Sequence, residues 1–139
     1  MVELASVCLE TDVCVDALRG RIALSGLAAR LLPGAMTWIS SITLAELEFG
    51  ASHAASPALA RERLALLLDV AAVRPFDQRA AAAYGQVRSR LQRAGLGIGA
   101  MDTLIGAHAL AEGAILVTRN VGEYRRIEGL TVVDAAASS

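Results

Sequence analysis

A chain of 139 residues and 14.5 kDa has room for one hydrophobic core and buries roughly two-thirds of its unfolded surface. With 55% hydrophobic residues, 19% charged residues and a mean hydropathy of +0.49, it is too apolar for a disordered tail and is expected to keep a greasy patch for a partner or a second copy. The net charge of −1 excludes a global basic field, so any grip on nucleic acid has to come from local clusters of its 13 basic residues, all of them Arg.

Along the chain, Ser6 to Leu9 reads as a short buried strand running into two acids, Glu10 and Asp12. Asp12 to Arg19 then has Val13, Val15 and Leu18 at helical spacing, with Gly20 as a stop and Asp12 as the expected N-cap. A second short helix is expected around Leu24 to Leu32, followed by a turn at Pro33-Gly34 and a strand at Thr37-Trp38-Ile39. Ser41 or Thr43 is expected to cap the next helix, in which Leu44 and Leu47, and with them Phe49, face inward and which Gly50 ends.

Pro57 opens a helix through Leu68, Ala71 to Val73 is a weak strand, and Gln78 to Arg93 is a longer helix ended by Gly95. The glycines at 95, 97 and 99 make a flexible loop without the spacing of a dinucleotide fingerprint. Met101 to Ala111 is an apolar helix stopped by Gly113, Ile115-Leu116-Val117 is a buried-strand run, and Leu130 to Val133 closes the sheet. Strands alternating with helices predict an α/β fold, a three-layer α/β/α sandwich with a mostly parallel central sheet. One domain is expected over residues 1–134, with a loose small-residue tail at 135–139.

Cys8 and Cys14 form neither a disulfide framework nor a zinc set and read as structural thiols in a reducing compartment. The N-terminus lacks the basic region of a signal peptide, and charges at Asp69, Asp102 and Glu112, with His108, interrupt the long apolar runs. A cytoplasmic protein with no membrane association is expected.

Ligands of such sheets bind beyond the carboxyl ends of the strands, and acids cluster at those ends. Glu10 and Asp12 follow the first strand, Glu46 lies in the helix after the second, Asp102 opens the apolar helix, and Asn120 and Glu123 follow the Ile115 strand. Carboxylates gathered without matching bases repel, and a hard divalent cation relieves them; such an ion also lowers the pKa of bound water and stabilises phosphoryl charge. Each acid has a plainer use as well. Asp102 favours a helix dipole, and Glu123 can pair with Arg119 or Arg126 on the surface. Glu46, between apolar neighbours while Glu48 takes the solvated face, is harder to explain away. His53 and His108 are not spaced as a metal pair, His108 reading as a packed histidine, and no serine or cysteine sits in a nucleophile motif.

Four segments in order resemble a known family. Leu9 to Val13 resembles the opening motif of PIN domains; Ser40 to Gly50, with its acid at Glu46, is very close to the second motif of VapC-type toxins; Asp102 to Leu110 resembles the third and Thr118 to Tyr124 the fourth. The resemblance spans nearly the whole chain. It implies a PIN fold and an Mg²⁺- or Mn²⁺-dependent endoribonuclease, the toxin of a toxin–antitoxin pair, acting on RNA as a homodimer and inhibited by a VapB-like antitoxin.

By that resemblance Glu10, Glu46 and Asp102 hold the metal, with Asn120, Glu123 or neither completing the site, and Thr11 and Arg119 contact substrate. Further RNA contacts would come from Arg88, Arg90 and Arg93 on the long helix and from Arg19 and Arg21. One departure stands out: the family has Asp where this chain has Glu10. The extra methylene displaces the carboxylate by one C–C bond, and Mg²⁺ demands near-ideal octahedral geometry. Reduced, Mn²⁺-shifted or absent cleavage follows, so a silent PIN module that binds RNA or antitoxin is the second reading. A metal-dependent phosphatase on another α/β fold shares the acids but not the ordered motifs.

Overall fold

A computed structural model describes residues 5–21, 23 and 34–138 of the chain; the helix expected at 24–32 lies outside them. Five strands, β1 (Ser6–Leu9), β2 (Met36–Ser40), β3 (Ala72–Arg74), β4 (Ile115–Thr118) and β5 (Thr131–Asp134), form one sheet in the order β3-β2-β1-β4-β5. Every pairing is parallel, with Cys8 opposite Trp38 on one side and Leu116 on the other. Helices α1 (Thr11–Leu18), α2 (Ser41–Ser52), α3 (Pro57–Val70), α4 (Gln78–Ala94), α5 (Ala100–Ala111) and α6 (Val121–Tyr124) connect them.

The two faces of the sheet follow from strand alternation. Val7, Leu9, Ile39 and Val117 point to the side covered by α1, α2 and α3, where they meet Val13, Leu47, Leu64 and Leu67. Cys8, Trp38 and Leu116 point the other way, against Val87 and Leu91 of α4, Ile105 of α5, and Tyr124. Helices therefore cover both faces, as the alternation predicts. Cys8 and Cys14 are free and buried, and their thiols are held protonated chiefly by burial. No helix of the described residues is long and apolar enough to cross a membrane.

Two strand-to-helix junctions differ from expectation for the same reason. An N-cap must be extended, and the residue leaving a strand already is. Glu10 (φ −75, ψ 158) caps α1 with its side chain, accepting from Asp12 N–H, so Asp12 lies in the first turn and is not the cap. Ser40 (φ −69, ψ 148), the last residue of β2, caps α2 by accepting from Ile42 N–H, in place of Ser41 or Thr43. Helix α2 also runs through Gly50 to Ser52, and Phe49 is 65% exposed, not inward. Gly95 ends α4 in the left-handed conformation (φ 68) expected of a C-terminal glycine. Residues Ala135–Ser138, read from sequence as a tail, form a 3₁₀ turn.

Candidate active site

Successive strands step from β1 to β3 on one side of the sheet and then return to β4 on the other. The chain thus reverses at the β1/β4 pair, and the crevice beyond the carboxyl ends of those strands is where such folds place ligands. Glu10 leaves β1 there and is tied to its neighbour by its N–H, which donates to Val117 O at 3.0 Å. Thr118 ends β4 beside it.

The Glu10 carboxylate is buried and heavily engaged. Oε2 accepts from Asp12 N–H (3.1 Å) and from the Thr118 hydroxyl (3.3 Å), and Oε1 accepts from the Tyr124 hydroxyl (3.2 Å). A carboxylate offers about four lone-pair sites, so one remains. Burial first, and then the neighbouring Asp12 carboxyl, push Glu10 up to about 8. Asp12 Oδ1 is buried without a hydrogen-bond partner, while its Oδ2 accepts from Arg119 N–H at 3.2 Å. An unpartnered carboxylate oxygen near a second carboxyl group calls for a shared proton or a cation.

Glu46 and Asp102 enter from opposite layers. The Thr11 hydroxyl donates to Glu46 Oε1 at 2.7 Å and lies 3.1 Å from the hydroxyl of buried Thr43, which fixes Glu46 relative to α1. Asp102, in the first turn of α5, has its carboxyl raised by burial; Glu123, Glu46 and Asp12 raise it further, and a hydrogen bond from Tyr124 opposes them. Glu10 also lies within electrostatic reach of Asp102. The acids expected at 10, 46, 102 and 123 therefore form one electrostatic cluster, together with Asp12.

The remaining expectations divide. Arg119 is half-exposed, but its Nε lies 3.0 Å from Asp16 Oδ2 and 3.8 Å from Asp12 Oδ2, so two acids already hold it. Asn120 donates its backbone N–H to Thr118 Oγ1, and its side chain makes no capping bond to α6. Glu123 takes neither arginine: Arg126 donates to Gly97 O instead. His108 is packed, as expected, between Trp38 and Phe76, with Nδ1 2.8 Å from Ser40 Oγ. The sequence offers Thr43 only as a helix cap and assigns no role at the site to Thr118 or Tyr124. The last two lie in the fourth motif, where a hydroxyl following a strand was the available signal.

A cleft of about 380 Å³ opens beside Glu46, walled by Arg19, Arg63 and His53 and floored by Leu47 and Leu64. A smaller one, about 140 Å³, lies between α4 and the start of α5 and is bordered by Arg88, Tyr84 and Thr103. Of the arginines read as possible RNA contacts, Arg19 and Arg88 border these clefts.

Compared with known proteins, the sequence matches the PIN domain over residues 7–130. The chain belongs to the PIN-domain family. Its curated relatives include Ribonuclease VapC2 of Rickettsia felis, 40% identical over 92 residues (66% of this chain, 69% of the relative). Another is the tRNA(fMet)-specific endonuclease VapC of Shigella flexneri, 34% identical over 129 residues (91% and 95%). Among solved structures, VapBC2 from Rickettsia felis bound to a DNA fragment from their promoter superposes with a TM-score of 0.86 at 32% identity, covering 92% of this chain and 97% of that one. DNA-bound VapBC from Salmonella typhimurium gives 0.86 at 30% identity, covering 95% and 99%.

The donor set of this PIN domain suits a hard cation: the clustered side chains offer oxygen only, they repel one another, and one buried carboxylate oxygen lacks a partner. Among the described residues no three Asp, Glu, His or Cys side chains stand close enough to enclose an ion. The fit is accordingly to an ion that takes one or two carboxylates and keeps several waters, as Mg²⁺ does.

Proposed function

We propose that this PIN domain is the toxin of a type II toxin–antitoxin pair, a divalent-metal-dependent endoribonuclease that hydrolyses RNA phosphodiester bonds. The observation that carries the reading is the gathering of Glu10, Glu46, Asp102 and Glu123, from four separate segments, beyond the β1/β4 reversal. The names of the relatives, ribonuclease and tRNA(fMet)-specific endonuclease, supply the substrate class.

Asp102 and Glu46 are the residues assigned to hold Mg²⁺ or Mn²⁺, and Glu10, with one lone pair left, would reach the ion through water. When bound, such an ion lowers the pKa of a coordinated water and offsets charge developing on the phosphoryl oxygens. Thr11 keeps Glu46 from turning away into solvent. Thr118 and the start of α1 hold Glu10. Asn120 and Glu123 are the candidates to complete the site, and Arg19, Arg63 and Arg88, which border the two clefts, offer guanidinium groups to the RNA backbone.

A VapB-like antitoxin as partner is supported by the VapBC complexes among the structural neighbours. A homodimer is supported by apolar side chains left exposed, such as Leu66 and Val70.

Cleavage of initiator tRNA with and without added Mn²⁺ tests the reading. Glu46→Gln and Asp102→Asn should each lower the rate by about 10²–10³-fold with the fold intact, the order seen when one preorganised charge-stabilising group is removed. Unchanged cleavage in both removes the reading. The engagement of Glu10 as helix cap and triple acceptor favours a second possibility, a PIN module that binds without cutting. Glu10→Asp separates the two: a gain in cleavage marks a nuclease restrained by one side chain, and silence in both forms marks the binding module.

A further inference from the structure

We infer that the Tyr124 hydroxyl is a positioning group that makes the long Glu10 side chain usable, holding its carboxylate against the start of α1. The inference rests on the nuclease reading for its purpose, though not for its geometry.

Three segments fasten Glu10. Asp12 N–H and the Thr118 hydroxyl share Oε2, and Tyr124 alone, among the described residues, donates to Oε1. The same phenol lies within electrostatic reach of Asp102. Its one observed donation goes to Glu10.

The ring has a seat of its own. Tyr124 is fully buried, and it lies against Gly106 of α5, where a Cβ would come within 3.3 Å of ring atoms Cδ1 and Cε1 and 2.5 Å of Ile127 Cδ1. A phenylalanine would fill that seat equally well. What the hydroxyl adds is its bond to Glu10, and nothing in the packing of the ring requires it. Without it Oε1 keeps no donor among the described residues, and a side chain with one more rotatable bond than Asp is free to leave its place.

A double-mutant cycle between Tyr124→Phe and Glu10→Asp tests this. In the metal-free full chain, urea unfolding should show Tyr124→Phe raising the unfolding constant about tenfold in the Glu10 protein, the scale of one buried hydrogen bond to a carboxylate, and less than about threefold when Glu10→Asp has shortened the acid. In RNA cleavage with Mn²⁺, Tyr124→Phe should lower kcat about tenfold with KM within twofold. The kcat effect should disappear in the Glu10→Asp background. Equal losses in both backgrounds overturn the inference and leave Tyr124 as a packing residue. If no variant cleaves RNA, the nuclease reading falls while the unfolding cycle still decides whether the hydroxyl acts through Glu10.

Discussion

Glu10 performs two tasks that ordinarily belong to different residues. It caps α1, which binds its carboxylate to a backbone N–H, and it belongs to an acid cluster, which favours the neutral form. The second effect dominates, because burial outweighs the single amide, and the group is pushed up to about 8 from 4.5. A carboxyl raised in the folded state binds a proton that the unfolded chain releases. Its stabilising protonation is complete at acid pH and is lost as pH climbs from the free value toward the folded one. The metal-free protein should therefore lose stability between pH 4.5 and about 8, and Glu10→Gln should flatten that slope. Urea midpoints across this range provide the check, and an unchanged slope counts against the neutral buried acid. Saturating Mn²⁺ should reverse the trend by favouring the ionised form.

At the scale of elements, Gly106 shows how one helix sets the position of the site. Replacing a helical glycine by alanine ordinarily adds up to about 1 kcal/mol of helix propensity. Here the new methyl would meet Ile127 Cδ1 at 2.5 Å and the Tyr124 ring at 3.3 Å. The isoleucine tip can swing aside, whereas the ring is held at its hydroxyl end by Glu10. Gly106→Ala should thus destabilise by about 1–3 kcal/mol, as overpacking does. Chemical denaturation would measure it; equal or greater stability would show that the seat is loose.

The same elements show what could be read before the fold was seen. Helices α3, α4 and α5 and the run in β4 were legible because proline and glycine punctuate an apolar periodicity. The acids at 46 and 102 were legible because each interrupts an apolar stretch. The caps were not. Ser40 completes a strand and starts a helix in one residue, and Glu is a poor N-cap by preference, so both junctions were placed a residue or more too late. Tyr124 was illegible as a partner of Glu10 because the contact depends on a ring seat built by α5, far from either residue in sequence. Phe49 was misplaced because α2 continues past Gly50, where a stop was expected, and leaves that face open.

For the molecule as a whole, the charge balance limits how RNA can be held. A net charge of −1 gives no long-range attraction, so the proposed grip on RNA would fall to arginines bordering the clefts beside Glu46 and α5, namely Arg19, Arg63 and Arg88. Three contacts to single-stranded phosphates predict a slope of about −2 for log K against log salt concentration. Filter binding with a non-cleaving variant such as Asp102→Asn gives the value. A slope steeper than about −5 would mean that a much wider basic surface is engaged.

The reversal of the chain at β1 and β4 also orders events in time. Strand β1 is the centre of the sheet, yet its acid gains Thr118 and Tyr124 only from residues 108 and 114 positions later. A growing polypeptide thus carries Glu10 and Glu46 as an unassembled half-site until β4 and α6 have been made. Fragments truncated before β4 should be inert, whatever fraction of the acids they contain, so the chemistry proposed for this chain can assemble only after Tyr124 has been made.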